Sequence, residues 1–309
     1  MAKRIAAVFG ASGFLGRHLV RRLAQAGYGV RACCRDVEGA SFLKPMGDVG
    51  QVVPWPADVT RPDTVKAAVK GADVAINLVG ILFEKGGRTF QKVHADGAAT
   101  VAQAAADAGV ANLVQVSALG ADADSPADYA RTKAAGEEAV RDAFKKATIL
   151  RPSVVFGPED DFFNRFAGLA RISPVLPVIG DGDGPSFQPV YVGDVADAVM
   201  AALTIGKAQG QTFELGGPAV YTFRQIMELV TKQTGRSRLL LPLPFWLAEM
   251  KAAILGLMPK PMLTTDQVQL LRRDNVVGAG AKTFKDLGIQ PRSAEVILPT
   301  YLMRYRGNA

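Results

Sequence analysis

The chain has 309 residues, enough for one large domain or two modest ones, and at 49% hydrophobic and 21% charged it builds a core instead of staying disordered. Its 32 glycines and 18 prolines lack a triplet period, which excludes a collagen-like assembly, and its two adjacent cysteines, Cys33 and Cys34, exclude a disulfide scaffold and favour a reducing compartment. The net charge of +7 is uneven: from residue 235 onward eleven Lys/Arg stand against five Asp/Glu, which suits an anionic membrane surface, an acidic protein partner or a merely solvated basic face.

Residues 5–9 are a β-branched and aromatic run that ends at Gly10 and reads as a first strand. Lys3 and Arg4 precede it as in a signal peptide, but the run leads into Gly10, Gly13 and Gly16 with no small-residue cleavage site, so no targeting segment is read. Residues 14–26 space Phe14, Leu15, Leu19, Val20 and Leu23 as a helix does, and Gly27 stops it. Further strands are expected at 29–34, 52–54, 74–79, 113–117 and 148–150, with helices from Pro62, over 93–108 and over 127–144. Strand–helix alternation at this pitch predicts an α/β fold, a doubly wound parallel sheet with helices on both faces.

After Arg151 the rhythm changes to a region rich in proline and glycine around one helix at 161–170. Residues 190–203 read as a return to the sheet domain, with Asp194 at a helix start, and 212–215 as another sheet strand. Helices are then expected near 223–234, 245–257, 265–273 and 294–305. The apolar stretch 239–258 is broken by Pro242, Pro244, Glu249 and Lys251, so it reads as a buried or interfacial helix and not as a membrane span. The expected division is a nucleotide-binding domain over 1–155, completed by 190–215, and a smaller, mainly helical docking domain over 156–189 and 216–309.

Three local patterns carry chemistry. Gly10-Ala-Ser12-Gly13-Phe14-Leu15-Gly16, with Arg17 next, follows a strand and opens a helix, the context that makes a glycine motif a phosphate cradle and not an ordinary turn. Arg35 stands at the end of the second strand about 20 residues past that loop, where a guanidinium accommodates a 2′-phosphate; with Arg17 it favours NADP(H), unless Asp36 takes the ribose instead. Tyr129 and Lys133 share a helix face at a spacing of four, so the ammonium can favour the phenolate, while Ser117 at the fifth strand end can hydrogen-bond a substrate oxygen. No metal site is expected, since His occurs only at 18 and 94 and no four-ligand zinc pattern is present. Nucleic acid is not an expected partner, because no aromatic platform or recognition motif accompanies the basic charge.

These residues, in this order, resemble the short-chain dehydrogenase/reductase superfamily in its extended or atypical branch, a Rossmann fold; the matching elements are Gly10-x-x-Gly13-x-x-Gly16, Asp58-Val59, Asn77-Leu78-Val79-Gly80, Ser117 and Tyr129-x-x-x-Lys133. The resemblance implies that Asp58 and Val59 contact adenine, that Asn77, Leu78, Val79 and Gly80 line the cofactor, and that Lys133 also holds the nicotinamide ribose. It places Pro152, Ser153 and Val154 beside the nicotinamide. Ser117 stands only 12 residues before Tyr129, and His94 sits where the branch often has Asn; His94 is expected to pack or cap.

The run from Arg151 to Phe166, the run from Leu263 to Val276 and Phe284-Lys-Asp-Leu-Gly-Ile289 are similar to the nucleotide-binding accessory subunits of respiratory complex I. That similarity implies a tightly held NADPH with a structural role, complex I subunits as partners, and a bacterial version peripheral on the cytoplasmic face of the cell membrane. Rival expectations are an active NADP-dependent oxidoreductase or epimerase/dehydratase acting through Tyr129, Lys133 and Ser117, and an NADPH redox sensor.

Overall fold

The computed structural model describes residues 4–180, 182–256, 258 and 261–306. They fall into two compact units. The first comprises residues 4–151, 195–214 and 282–289; the second comprises 152–194, 215–281 and 290–306.

The first unit is built on strands β1 (Ile5–Phe9), β2 (Gly29–Cys34), β3 (Val52–Pro56), β4 (Val74–Asn77), β5 (Asn112–Val116) and β6 (Thr148–Pro152). Helix α1 (Phe14–Gln25) follows β1, α2 (Pro62–Val69) follows β3, α3 (Gly97–Asp107) follows β4 and α4 (Asp128–Ala143) follows β5. The strand order is β3-β2-β1-β4-β5-β6, with Thr212–Leu215 added at the β6 edge, and β1 to β6 pair in parallel. β1 is central, with Val8 opposite both Ala32 and Ile76. The order reverses between β1 and β4, and in such sheets ligands bind at the carboxyl ends of the strands flanking that reversal. The doubly wound parallel sheet expected from the strand–helix alternation is therefore what forms.

Alternate residues of each strand point to opposite faces. Ala7, Phe9, Cys33, Ala75 and Leu113 join one core with Val65 and Ala68 of α2, Val101 and Ala105 of α3, and Val140 of α4. Cys33 and Cys34, both buried and unbridged, face away from each other as strand neighbours must. Burial pushes the Cys33 thiol up to about 12, which leaves it an inert packing group.

The structure departs from the expected elements in several places. The helix expected from residue 93 begins earlier, with a π turn over Gln91–Asp96 ahead of α3. Gly136 of α4 lies so close to this turn that a Cβ there would overlap the His94 carbonyl oxygen. In the second unit, Leu239–Leu243 is a strand, paired in parallel with Val175–Ile179. Pro177 and Pro242 sit within this two-stranded ribbon, where missing donors are tolerated; in the sequence, residues 175–179 read as part of a loop-rich region and 239–243 as part of a buried or interfacial helix.

The second unit is otherwise helical around an aromatic core. Phe156, Phe163, Phe187 and Phe223 are buried there, and Phe163 meets Phe156 edge-on at 5.5 Å. Helix Phe223–Thr234 starts on a reciprocal Thr222–Gln225 cap, two donors satisfied by two side chains. The helix expected over 294–305 is instead divided at Pro299, which has no N–H to continue the ladder, into short turns at Ala294–Ile297, Pro299–Leu302 and, as a 3-10 turn, Met303–Tyr305. Buried Asp160 accepts from Gly157 N, Asn164 N and, at 2.6 Å, Tyr301 Oη. On helix Phe245–Leu255 the residues Trp246, Met250 and Ile254, spaced four apart on one face, are 63%, 55% and 70% exposed. Among the described residues no helix is long and apolar enough to cross a membrane.

Candidate functional site

The glycine turn between β1 and α1 is held by the sheet. Gly10 N and Ala11 N both point at Cys33 O, at 3.2 and 3.4 Å, and Gly13 N donates to Gly10 O at 3.1 Å. Gly10 has φ +81°, a conformation open to glycine. A Cβ at Gly16 would overlap the carbonyl oxygens of Gly10 and Ala11 and stand 2.6 Å from the Ala11 carbonyl carbon. Helix α1 can thus seat on the turn only with glycine there. No side chain caps α1 and no acidic residue stands in its first turn. Its leading N–H groups and dipole therefore face the carboxyl edge of the sheet, a setting for a phosphate anion near Ser12, Gly13, Phe14 and Leu15. Arg17 lies over the Phe42 ring, its guanidinium carbon 5.1 Å from the centroid.

At the end of β2, Arg35 is exposed and makes no hydrogen bond among the described residues. Asp36 is engaged locally, its Oδ1 accepting from Gly39 N at 2.9 Å. At the end of β3, Asp58 Oδ1 accepts from Thr60 N and Thr60 Oγ1 at 3.0 and 2.9 Å, while Oδ2 faces Arg88 Nη1 at 3.5 Å. Burial alone would raise the Asp58 carboxyl, but the Thr60 donors and the charges of Arg88 and Arg35 outweigh it and hold the group below the usual carboxylate range. Val59 is buried and packs against Gly97 at the start of α3.

After β4 the backbone is shaped by buried amides. Asn77 Nδ2 donates to Gln115 Oε1 at 2.9 Å and Asn77 Oδ1 accepts from Val79 N at 3.1 Å, so this side chain orients the turn that carries Leu78, Val79 and Gly80. A Cβ at Gly80 would come within 3.2 Å of Lys133 Nζ. Lys133 is itself buried, and that burial, partly offset by Glu137, pushes its ammonium down to about 8. Its Nζ stands 5.8 Å from the centre of the Tyr129 ring. Ser117 N donates to Leu150 O at 2.8 Å, whereas Ser117 Oγ is buried without a hydrogen-bond partner among the described residues.

His94 explains how Tyr129 is held. Its Nε2 accepts Ile81 N–H at 3.0 Å, which assigns the ring proton to Nδ1, 3.2 Å from Thr132 Oγ1. The ring stacks on Phe90 at 5.3 Å and meets Tyr129 edge-on at 5.1 Å. Burial and then the Lys133 charge push the imidazole down to about 3. The packing and capping role expected of His94 is the one its contacts describe. A testable consequence follows from the sign of this shift. Unfolded chains take up a proton near 6.5 and the folded one only near 3, so this part of the stability is present above pH 6.5 and is lost on acidification. Between pH 7 and pH 4 the loss is on the order of 3 kcal/mol, and His94→Asn should flatten the melting-temperature profile over that range; parallel profiles would contradict the assignment.

The structure thus brings Gly10, Gly13, Gly16, Arg35, Asp58, Gly80, Ser117 and Lys133 to the ends of β1 to β5 and the α4 helix beside them. Pro152, Ser153 and Val154 belong to the second unit, where Ser153 Oγ donates to Asn275 Oδ1 at 2.6 Å. Arg88, Gln115 and Thr132 were not legible as site residues: each acts through a partner distant in sequence, with no local motif. An open anion mouth, an exposed guanidinium at β2, a partnerless buried hydroxyl and a buried amine are together the donor set that a dinucleotide needs.

The fold and these residues define a class. The chain belongs to the NAD dependent epimerase/dehydratase family, whose profile matches residues 6–216. Within it, the chain is 38% identical to NADH dehydrogenase (ubiquinone) 1 alpha subcomplex subunit 9, mitochondrial, of Arabidopsis thaliana, over 98% of this chain and 78% of that protein. It is 34% identical to ceramide reductase of Caulobacter vibrioides over 79% of this chain and 74% of that one. A nucleoside-diphosphate-sugar epimerase from Staphylococcus aureus superposes with a TM-score of 0.76 over 96% of this chain and 99% of that chain; at 17% identity it speaks for the fold alone. The family membership expected from the glycine, Ser117 and Tyr129-x-x-x-Lys133 elements, and the likeness to complex I accessory subunits, both hold.

Proposed function

We propose that the chain is an accessory subunit of respiratory complex I, that it keeps NADP(H) as a resident structural group, and that it docks peripherally on the cytoplasmic face of the membrane. One observation carries this reading. The likeness to subunit 9 runs through 98% of the chain, whereas the family profile ends at residue 216. The similarity therefore includes the segment that displays Trp246, Met250 and Ile254. An apolar stripe in the most basic part of the chain suits a hydrophobic protein partner at an anionic membrane surface.

The mouth of α1 would take the pyrophosphate, Arg35 the 2′-phosphate, Asp58 and Val59 the adenine, and Lys133 the nicotinamide-side ribose. NADP(H) is favoured over NAD(H) because Arg35 is exposed at the determinant position while the Asp36 carboxylate is engaged by Gly39 N. A ligand bound only by the folded state adds about 2.7 kcal/mol at a hundred times its Kd. Detergent-solubilised membranes fractionated by size should carry this chain with complex I subunits, and native mass spectrometry should find NADP(H) on it. Recovery solely as a free monomer would reject the role.

A second reading, an active oxidoreductase, is favoured by the partnerless Ser117 hydroxyl and by Lys133 beside Tyr129. A bound nicotinamide would supply or accept hydride. Tyr129 would move the proton at its phenolic oxygen, Lys133 would favour the phenolate, and Ser117 would orient the substrate oxygen. Unchanged turnover by Tyr129→Phe on a confirmed substrate would remove that mechanism.

A further inference from the structure

Resting on NADP(H) as the resident nucleotide, we propose that Arg88 is a second arm of the nucleotide site, gripping the adenosine 2′-phosphate together with Arg35. Arg88 lies far from the glycine loop in sequence, in the connection between β4 and α3. Its position is fixed from both sides. Lys85 N and Arg88 O, and Arg88 N and Lys85 O, are joined at 3.2 Å each, closing a tight turn over Gly86 and Gly87. On one flank Glu84 Oε1 accepts Phe90 N at 2.6 Å; on the other Thr89 Oγ1 accepts Lys92 N at 3.2 Å.

This anchored turn delivers the half-buried Arg88 guanidinium to Asp58, but the contact is long, 3.5 Å, and engages one nitrogen. A guanidinium has five N–H donors, and the side chain of Arg88 makes no other hydrogen bond among the described residues. Asp58 Oδ1 is already occupied by Thr60, and only its Oδ2 faces Arg88. Arg35 lies close enough to act on both Arg88 and Asp58: it disfavours the Arg88 charge and favours that of Asp58. Two cations therefore act on one carboxylate, and the Arg88 guanidinium has donors to spare.

A phosphate monoester is the anion that fits. It carries nearly two charges at neutral pH and three acceptor oxygens, and guanidinium groups bind it in pairs of parallel hydrogen bonds. A bare ribose hydroxyl offers neither the charge nor the acceptors. Arg88 thereby becomes a specificity residue on a different element from Arg35.

The test uses the full chain, stripped of nucleotide, titrated calorimetrically with adenosine 2′,5′-bisphosphate and with 5′-AMP. Arg88→Ala should weaken the bisphosphate roughly ten- to a hundredfold and leave 5′-AMP unchanged; Arg88→Lys should recover part of the loss. Equal losses for both probes would make Arg88 a support of the loop or of the adenine and overturn the inference. Undiminished bisphosphate binding would also overturn it. If Arg35→Ala abolishes discrimination while Arg88→Ala does not, the inference alone falls. If the unaltered chain fails to discriminate between the probes, the NADP(H) reading falls with it. Melting curves of both variants confirm that the fold survives.

Discussion

Gly16→Ala is expected to abolish dinucleotide binding, with a loss of at least a hundredfold in NADPH affinity, and to lower stability by roughly 1–3 kcal/mol. The added methyl meets backbone, not a side chain that could swing away. It overlaps the carbonyl oxygens of Gly10 and Ala11, so α1 must lift off the turn. Lifting the helix moves every N–H aimed at the phosphate, and such hydrogen bonds fail steeply with distance and angle. Gly27→Ala is the control. Gly27 has φ +83° and open space around its missing Cβ, so that variant should cost only about 1 kcal/mol of backbone strain and leave binding intact. A fluorescence titration with NADPH beside a thermal melt separates the two effects. Normal NADPH affinity in Gly16→Ala would mean that the nucleotide does not use this turn.

Arg35→Glu should reverse the nucleotide preference. NADPH affinity should fall by roughly two to three orders of magnitude, because a charge-assisted pair worth about 1.5–3 kcal/mol is replaced by repulsion of similar size. NADH affinity should hold or improve, since a carboxylate at the second strand end accepts from the ribose hydroxyls. Arg35 is exposed, so salt will soften the effect, and the comparison belongs at low ionic strength. Paired titrations with NADPH and NADH decide it. Equal losses for the two nucleotides would remove Arg35 from the recognition of the 2′-phosphate.

The first half of the chain was readable because its physics is local. β1 and β4 are buried on both faces, so they announce themselves as apolar runs; β2 is interrupted only by Arg31, and Gly10, Arg35 and Asn77 stand at predictable strand ends. Where stability comes from contacts across the chain, the pattern falls silent. Asn77 reads as a cofactor-lining residue, yet its amide is committed to Gln115 and Val79. Arg88 reaches Asp58 only because a turn in the β4–α3 connection places it there. The π turn over Gln91–Asp96 leaves no propensity signal; it lies where Gly136 of α4 comes close to the His94 carbonyl. Pro177 and Pro242 hid a strand pair, and Pro299 divided a helix that apolar spacing alone had made continuous.

The path of the chain through its two units has a consequence for biogenesis. The first unit takes its last strand from Thr212–Leu215 and a further turn from Phe284–Leu287, the two tied by Glu214 N donating to Lys282 O at 2.8 Å. A ribosome adding roughly 5–20 residues each second leaves the free edge of β6 without its neighbour for several seconds after β6 has emerged. An unpaired parallel edge of this kind recruits foreign strands. Newborn chains are thus most vulnerable to mispairing midway through translation, and gene fragments ending near residue 151 should need a chaperone, or a separately supplied downstream fragment, to stay in solution.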